Sequence, residues 1–230
     1  MHFSIIIPVL NEAVSLPACL EALQSLRNQA EIIVVDGGSS DATVMLAAGP
    51  ADQVIHAHKG RALQMNAGAH HAQGDILVFL HADTVLPDNA LALIEHQLTQ
   101  GRHWGRFDIR LRGRPVMLKM VAFLMNQRSR LTGIATGDQV IFVKRQAFFS
   151  VGGYPDIALM EDIALSTLLK NNIGPPVCLN AKATSSGRRW ETFGVFRTIL
   201  LMWSLRLRYF FGAEPSELAE RYYRGCCWKP

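Results

Sequence analysis

Five short stretches of the 230-residue chain combine residue types that can do chemistry. Asp36-Gly37-Gly38-Ser39-Ser40-Asp41 joins carboxylates and hydroxyls to two glycines, which let the backbone turn tightly and approach a ligand. Asp36 at its head can accept hydrogen bonds from a nucleoside base or ribose. Read more plainly, the stretch is a strand-to-helix turn with Asp41 as the cap. In His81-Ala82-Asp83 an extended backbone turns residues 81 and 83 to one side, where an imidazole and a carboxylate can hold a divalent cation. Carboxylate and water suit magnesium or manganese, and the imidazole shifts the balance towards manganese. Asp83 as a cap ahead of Pro87 is the competing reading. Glu161-Asp162 offers a carboxylate that can take a proton from an attacking hydroxyl, or two acids that complement a helix dipole. Lys59-Gly60-Arg61 and Arg188-Arg189 can clamp phosphates by charge and bidentate guanidinium bonds, or lie on solvated faces.

These groups need a scaffold, and the hydrophobic pattern supplies one. Ser4 to Val9, Glu31 to Asp36 and Asp75 to Leu80 are apolar runs of strand length. Between the first two, Leu16, Leu20, Leu23 and Leu26 recur at helical spacing, with Ser15 as the N-cap and Pro17 in the first turn. Leu91, Ile94 and Leu98 repeat the pattern after Pro87. Strands alternating with helices imply right-handed crossovers and an α/β fold with a mostly parallel central sheet flanked by helices. Ligands of such sheets bind outside the carboxyl ends of the strands, which is where Asn11-Glu12, Asp36 to Asp41 and His81 to Thr84 leave their runs. Thr136 to Gln139 reads as a loop feeding a strand, Val140 to Val143. The Gly and Arg content of the segment from Gly101 to Gly137 suggests an acceptor-side flap.

Composition narrows the class. At 49% hydrophobic residues the chain can bury a sizeable core, which excludes a disordered tail or a disulfide miniprotein. Charged residues make up only 18%, mean hydropathy is +0.14, and the net charge is +4 with a pI near 9.0, so anionic partners are favoured. The basic residues are dispersed without a recognised motif, which argues against nucleic acid. Cys19, Cys178, Cys226 and Cys227 form no CxxC pair and read as reduced thiols in the cytoplasm. The first residues read as a strand, not a signal peptide.

In order along the chain, Ile5-Ile6-Ile7-Pro8-Val9-Leu10-Asn11-Glu12, Val34-Val35-Asp36-Gly37-Gly38-Ser39-Ser40-Asp41, Lys59-Gly60-Arg61 with Asn66-Ala67-Gly68, Leu80-His81-Ala82-Asp83-Thr84 and Met160-Glu161-Asp162 resemble family 2 glycosyltransferases. The likeness covers about residues 3 to 190. Arg188-Arg189-Trp190 followed by an apolar tail is most similar to a small bacterial branch labelled for arsenosugar biosynthesis.

The resemblance implies a GT-A fold, a nucleoside diphosphate sugar donor, uridine-linked by family habit, and inversion at the anomeric carbon. It implies a donor-binding set of Pro8, Glu12, Asp36, Gly38, Ser39, Lys59, Arg61, Ala82, Asp83, Arg188, Arg189 and Trp190. Asp83, with His81 beside it, would hold Mn2+ or Mg2+; Asp162 would be the catalytic base, with Glu161 next to it. Gly37 stands where many relatives have a second acid, and His81 where the first acid of the DXD motif lies. Two other readings compete: a non-catalytic sugar-nucleotide or membrane-surface binding protein, and a nucleotidyltransferase.

Residues 1–192 form the expected catalytic domain and 193–230 a C-terminal helical element. From Phe193 to Phe211 that element mixes large apolar side chains with arginine. It suits a helix packed on its own domain or on a second subunit of a homodimer, or one lying in a membrane interface near a lipid-linked hydroxyl acceptor, at the inner face of the cell membrane. Its uncharged run, Thr198 to Leu205, is too short to span a bilayer.

Overall fold

A computed structural model describes residues 1–224. Cys226 and Cys227 lie outside the described residues. The first strand, β1 (Phe3–Val9), is buried on both faces, as its unbroken apolar run requires. It lies between β2 (Ala30–Asp36) and β4 (Ile76–Phe79), with β3 (Gln53–His56) beyond β2, and all three of these pairings are parallel. The crossovers carry α1 (Leu16–Leu23), α2 (Thr43–Ala47) and α3 (Arg61–His71).

Two apolar layers cover the sheet. Ile5, Ile7 and Val9 face Leu16, Leu20 and Leu23 of α1 and Leu91, Ile94 and Leu98 of α4 (Ala90–Thr99), as the leucine spacing implied. Ile6, Ile33 and Val35 face Met65 and Ala69 of α3 and Leu165 and Leu169 of α7 (Glu161–Asn172). Each fully buried leucine contributes roughly 1.5–3 kcal/mol. Gly68 lets α3 settle on the sheet, since a Cβ there would stand 2.4 Å from Cγ2 of Ile6.

Past β4 the sheet becomes mixed. β7 (Ile141–Lys144) runs antiparallel to β4 and to β6 (Trp104–Arg112), while β8 (Val177–Ser186) is parallel to β6 and closes on the short β5 (Thr84–Val85). The order is β3-β2-β1-β4-β7-β6-β8-β5. The parallel half matches the alternation of strands and helices; the antiparallel half carries no crossover pattern in its sequence.

The segment from Gly101 to Gly137 is not a flap. It forms β6, inside the sheet, and the sixteen-residue helix α5 (Met117–Thr132). Its Gly and Arg content has packing causes. A Cβ on Gly105 would meet the Val177 carbonyl oxygen at 2.4 Å. Arg106 is fully buried, paired with Asp108 and bonded to Ser129 Oγ at 3.0 Å, and Arg130 reaches the other oxygen of Asp108 at 2.8 Å.

After β7 and α6 (Arg145–Ser150) the chain passes through α7 and β8 into α8 (Arg188–Phe193), α9 (Val195–Phe210) and α10 (Pro215–Arg224). Gly194, at φ 80°, makes the break between α8 and α9. Leu201 and Leu205 of α9 pack with Leu218 of α10 on Leu159 and Met160, just before α7. Val195 and Ile199 pack with Trp190 on Leu118 and Val121 of α5. Among the described residues no helix is long and apolar enough to cross a membrane.

Asp108→Ala leaves the Arg106 charge buried without its carboxylate. The expected loss is about 3 kcal/mol or more in urea-unfolding stability; a loss under about 1 kcal/mol would show that Ser129 and the Asn126 carbonyl suffice.

Candidate active site

The exits of β1 and β2 are tied to each other. Asn11, in the left-handed region at φ 55°, donates its N–H to Ser39 Oγ at 2.9 Å, and its Oδ1 accepts the Ser40 N–H at 2.8 Å. Asp41 accepts the Thr43 and Ala13 N–H groups at 3.0 and 3.2 Å, so it ties the first residue of α2 to the β1 exit, while the N-cap position itself is Ala42. Asp36 is 2% exposed and accepts N–H bonds from Gly38 at 3.0 Å and Ser39 at 3.1 Å, with His56 Nδ1 3.4 Å away. Burial opposes its ionisation, but the donors on Ser39, Gly38 and His56 outweigh it and hold the carboxyl below the usual range. Gln64, buried on α3, donates to the Val9 and Val35 carbonyls at 2.8 Å each, where the parallel strands separate. Its side chain would stand 3.0 Å from a Cβ on residue 37, so Gly37 leaves room for it.

A second junction joins the β4 exit to the start of α7. Here a 3₁₀ turn, Gly137–Gln139, closes with a capping box between Thr136 and Gln139. The Gly137 N–H donates to Asp162 Oδ2 at 2.9 Å, and Asp138 Oδ1 faces His81 Nδ1 at 3.3 Å. Gln139, fully buried, donates to Asn126 Oδ1 at 3.3 Å and fixes the turn to α5. Val140 (φ 54°) and Met160 (φ 71°) flank the junction in the left-handed region, a conformation that costs of order 1–3 kcal/mol for such side chains.

The acids at this junction are perturbed in opposite directions. Burial, with Asp138 adding to it, lifts Asp162 above the usual carboxylate range despite the N–H donors of Gly137 and Ile163 and the charge of Arg61. Burial and then Asp162 lift Glu161, which is 5% exposed. Asp138 goes the other way: burial opposes its charge, but the His81 contact, Arg61 and Arg189 hold it below the usual range. Arg61 is reached by solvent yet enclosed by protein, facing Tyr222, Glu161 and Asp138, which hold its guanidinium charged.

Basic groups form the rest of the rim. Arg188, at the start of α8, reaches Glu12 Oε2 and Ser15 Oγ, each at 3.5 Å, and so bridges the two ends of the chain. Ser15 itself makes no cap bond to α1. Arg189 lies 3.7 Å over the Tyr222 ring and donates to the Tyr222 carbonyl at 2.7 Å. Arg128 on α5 has buried Nε and Nη2 atoms with no hydrogen-bond partner among the described residues, and Asp162 and Asp138 are the acids facing it. Lys59 is exposed beside Gly60. Trp190, partly buried, packs against the cluster of Leu118 and Val121, and Ala82 is buried.

The donor set fits a divalent cation that shares its ligands with phosphate and water. Asp83 is half-buried, and its one side-chain bond is from Thr84 Oγ1 at 3.4 Å, which leaves carboxylate lone pairs for such an ion. His81 is engaged elsewhere: Nδ1 meets Asp138, and the Nε2 edge packs over Gly137, 2.5 Å from where a Cβ would stand. Among the described residues no group of three or more His, Cys, Asp or Glu is arranged to hold a metal alone. Cys19 lies beneath, buried, its Sγ 3.7 Å from the Thr84 carbonyl; burial and then Asp83 push its thiol up to about 12, which disfavours the thiolate.

The structure thus brings together Asp36, Gly38 and Ser39 at one junction and Arg61, His81, Glu161 and Asp162 at the other, with Arg188 reaching Glu12 beside the first. Sequence reasoning missed Gln64, Arg128, Gly137, Asp138 and Tyr222. Only Thr136-Gly137-Asp138-Gln139 carried a signal, the capping-box spacing, and it read as a plain loop.

Residues 4–146, more than half of the chain, match the family model described as glycosyl transferase family 2. A PGL/p-HBAD biosynthesis glycosyltransferase of Mycobacterium bovis (strain BCG / Pasteur 1173P2) is 40% identical over 92 residues, covering 36% of this chain and 36% of its own length. The undecaprenyl-phosphate 4-deoxy-4-formamido-L-arabinose transferase of Pseudomonas fluorescens (strain Pf0-1) is 33% identical over 153 residues, 59% of this chain and 44% of its own. The chain therefore spans less than half the length of these curated relatives. Among solved structures, the mannosyltransferase PcManGT from Pyrobaculum calidifontis, in complex with GDP-Man and Mn2+, superposes with a TM-score of 0.66 at 19% identity over 97% of this chain and 69% of that one. The fold is GT-A-like, a mixed sheet flanked by helices.

A raised carboxyl costs stability wherever it is charged in the folded chain, and the cost disappears below its unfolded value. Glu161→Gln is therefore expected to raise the melting temperature at pH 7, with the gain shrinking as pH falls to about 4. Thermal melts across that range check this; a loss of stability of equal size at every pH would contradict it.

Proposed function

The chain belongs to glycosyl transferase family 2; from that premise we propose that it is a glycosyltransferase and moves a sugar from a nucleoside diphosphate sugar to an acceptor hydroxyl with inversion at the anomeric carbon. The observation that carries this reading is Asp162: a carboxyl lifted by burial, oriented by the Gly137 N–H at 2.9 Å, and set at the carboxyl edge of the parallel strands.

A raised carboxyl is a better proton acceptor, and one held by a backbone N–H is aimed. Asp162 takes the proton as the acceptor oxygen attacks the anomeric carbon. The bond to the diphosphate oxygen breaks from the opposite side, so no covalent intermediate forms. Asp36, Gly38 and Ser39, with the backbone near Pro8 and Glu12, hold the nucleoside, proposed as uridine. Lys59, Arg61, Arg188 and Arg189 face the diphosphate, and their charge stabilises it as it leaves. Arg128, whose buried Nε and Nη2 have no partner among the described residues, serves the same negative charge from α5. Asp83 would hold a divalent cation, which would supply further positive charge to the leaving group. His81 positions Asp138, and Asp138 keeps Arg61 in place.

The undecaprenyl-phosphate transferase among the relatives supports a lipid-linked acceptor. Arg188-Arg189-Trp190 supports the narrower bacterial branch, and the cytoplasmic face of the cell membrane is the proposed location.

Release of nucleoside diphosphate from donor and acceptor tests the base. Asp162→Asn is expected to lower kcat by about 10²–10⁴ and leave nucleotide affinity unchanged; equal turnover would remove Asp162 from this role. In the wild type the base must be ionised, so kcat/KM is expected to fall with falling pH at a value above the ordinary carboxylate range. A profile that stays flat down to that range would contradict the raised carboxyl.

A further inference from the structure

Helix α9 is covered on one side only. Thr198, Leu201 and Leu205 are buried on the domain, whereas Phe196, Leu200, Trp203, Leu207, Phe210 and Phe211 are between 60% and 81% exposed. Their spacing places these six side chains in one stripe along the helix. Single exposed apolar residues are ordinary, but a continuous stripe of this size marks a contact surface. Over sixteen residues the stripe is about 24 Å long. α9 contains no acid; Arg197 and Arg208 lie along one edge of the stripe and Arg206 along the other. An open cavity of about 430 Å³ lies where Leu207, Arg208 and Phe211 meet the Gly212 turn, joining apolar lining to one guanidinium. Helix α5, packed on the start of α9 through Val121 and Ile199, also lacks acids and exposes Met120, Phe123 and Leu124.

We propose that α9, with α5 beside it, docks flat on an anionic phospholipid bilayer, its apolar stripe in the acyl boundary and its arginines at the headgroups. This extends the lipid-linked acceptor reading above. Charge selects the occupant. Two copies of this face brought together would oppose arginine to arginine with no acid on either helix, whereas anionic headgroups complement both edges of the stripe. An apolar stripe edged by arginine is the pattern of a helix lying in the interface plane. The placement also serves the chemistry. The buried side of α9 packs on Met160, the residue before Glu161 and Asp162, so roughly one helix diameter, about 10 Å, separates the bilayer from the base. A hydroxyl on a lipid headgroup can span that distance.

The test uses the full chain, co-sedimented with vesicles of phosphatidylcholine alone or mixed with phosphatidylglycerol, with UDP and Mn2+ binding measured on the same samples. Binding to the mixed vesicles, little to phosphatidylcholine alone, and weakening with salt are expected. Leu200→Glu/Leu207→Glu is expected to bind at least tenfold more weakly with nucleotide binding intact. Arg208→Glu, which keeps the stripe, is expected to lose affinity for the mixed vesicles only. Absence of wild-type vesicle binding while UDP still binds would overturn docking and leave the catalytic reading standing. Equal binding to both vesicle types would overturn the role of the arginines. A dimer in sedimentation equilibrium that the double variant dissolves, without vesicle binding by the wild type, would assign the stripe to a second copy.

Discussion

The bond from the Gly137 N–H to Asp162 organises the candidate site. One short turn does two things: its backbone orients the carboxyl at the head of α7, and its next side chain, Asp138, meets His81 at the exit of β4. The helix that bears the proposed base and the strand that leads to the proposed cation ligand are thereby held in one frame. That frame is fixed from behind by Gln139 on Asn126, whose amide also pairs with Ile109 on β6. Without the turn, Asp162 would keep only the Ile163 N–H at 2.7 Å, a bond within its own helix start.

The frame is costly, and the costs gather at the cleft. Asn11, Val140 and Met160 are the non-glycine residues in the left-handed region among those described, and each flanks a junction of the candidate site. Burial opposes the charged forms of Glu161 and Asp162 and raises both carboxyls, and buried donors of Arg128 and Arg189 have no hydrogen-bond partner among the described residues. The stable layers around Ile5, Ile7, Leu16 and Leu20 offset this strain. An anionic substrate would relieve part of it, because phosphate oxygens can accept from the guanidinium N–H groups of Arg128 and Arg189 that have no acceptor among the described residues.

The parallel half of the fold was legible because its rules are local. A strand buried on both faces reads as an apolar run, and α1 announces itself by leucines at helical spacing. The antiparallel half was not, since Gly105 and Arg106 owe their identities to Val177 and Asp108, which no window of sequence connects. The site divides in the same way. Asp36, Asp83 and Asp162 stand at element ends, where a carboxylate is noticed; Asp138, Arg128 and Gln64 matter through partners distant in the chain.

The central claim is that the carboxyl edge of β1, β2 and β4 holds a nucleoside diphosphate with a divalent cation at Asp83. Calorimetric titration of the purified chain with UDP, GDP and dTDP, each with Mn2+, Mg2+ or chelator, tests it most directly. One nucleotide, UDP first, is expected to bind with metal and to lose most of its affinity in chelator. Absence of binding by all three, or the same affinity with and without metal, would contradict it.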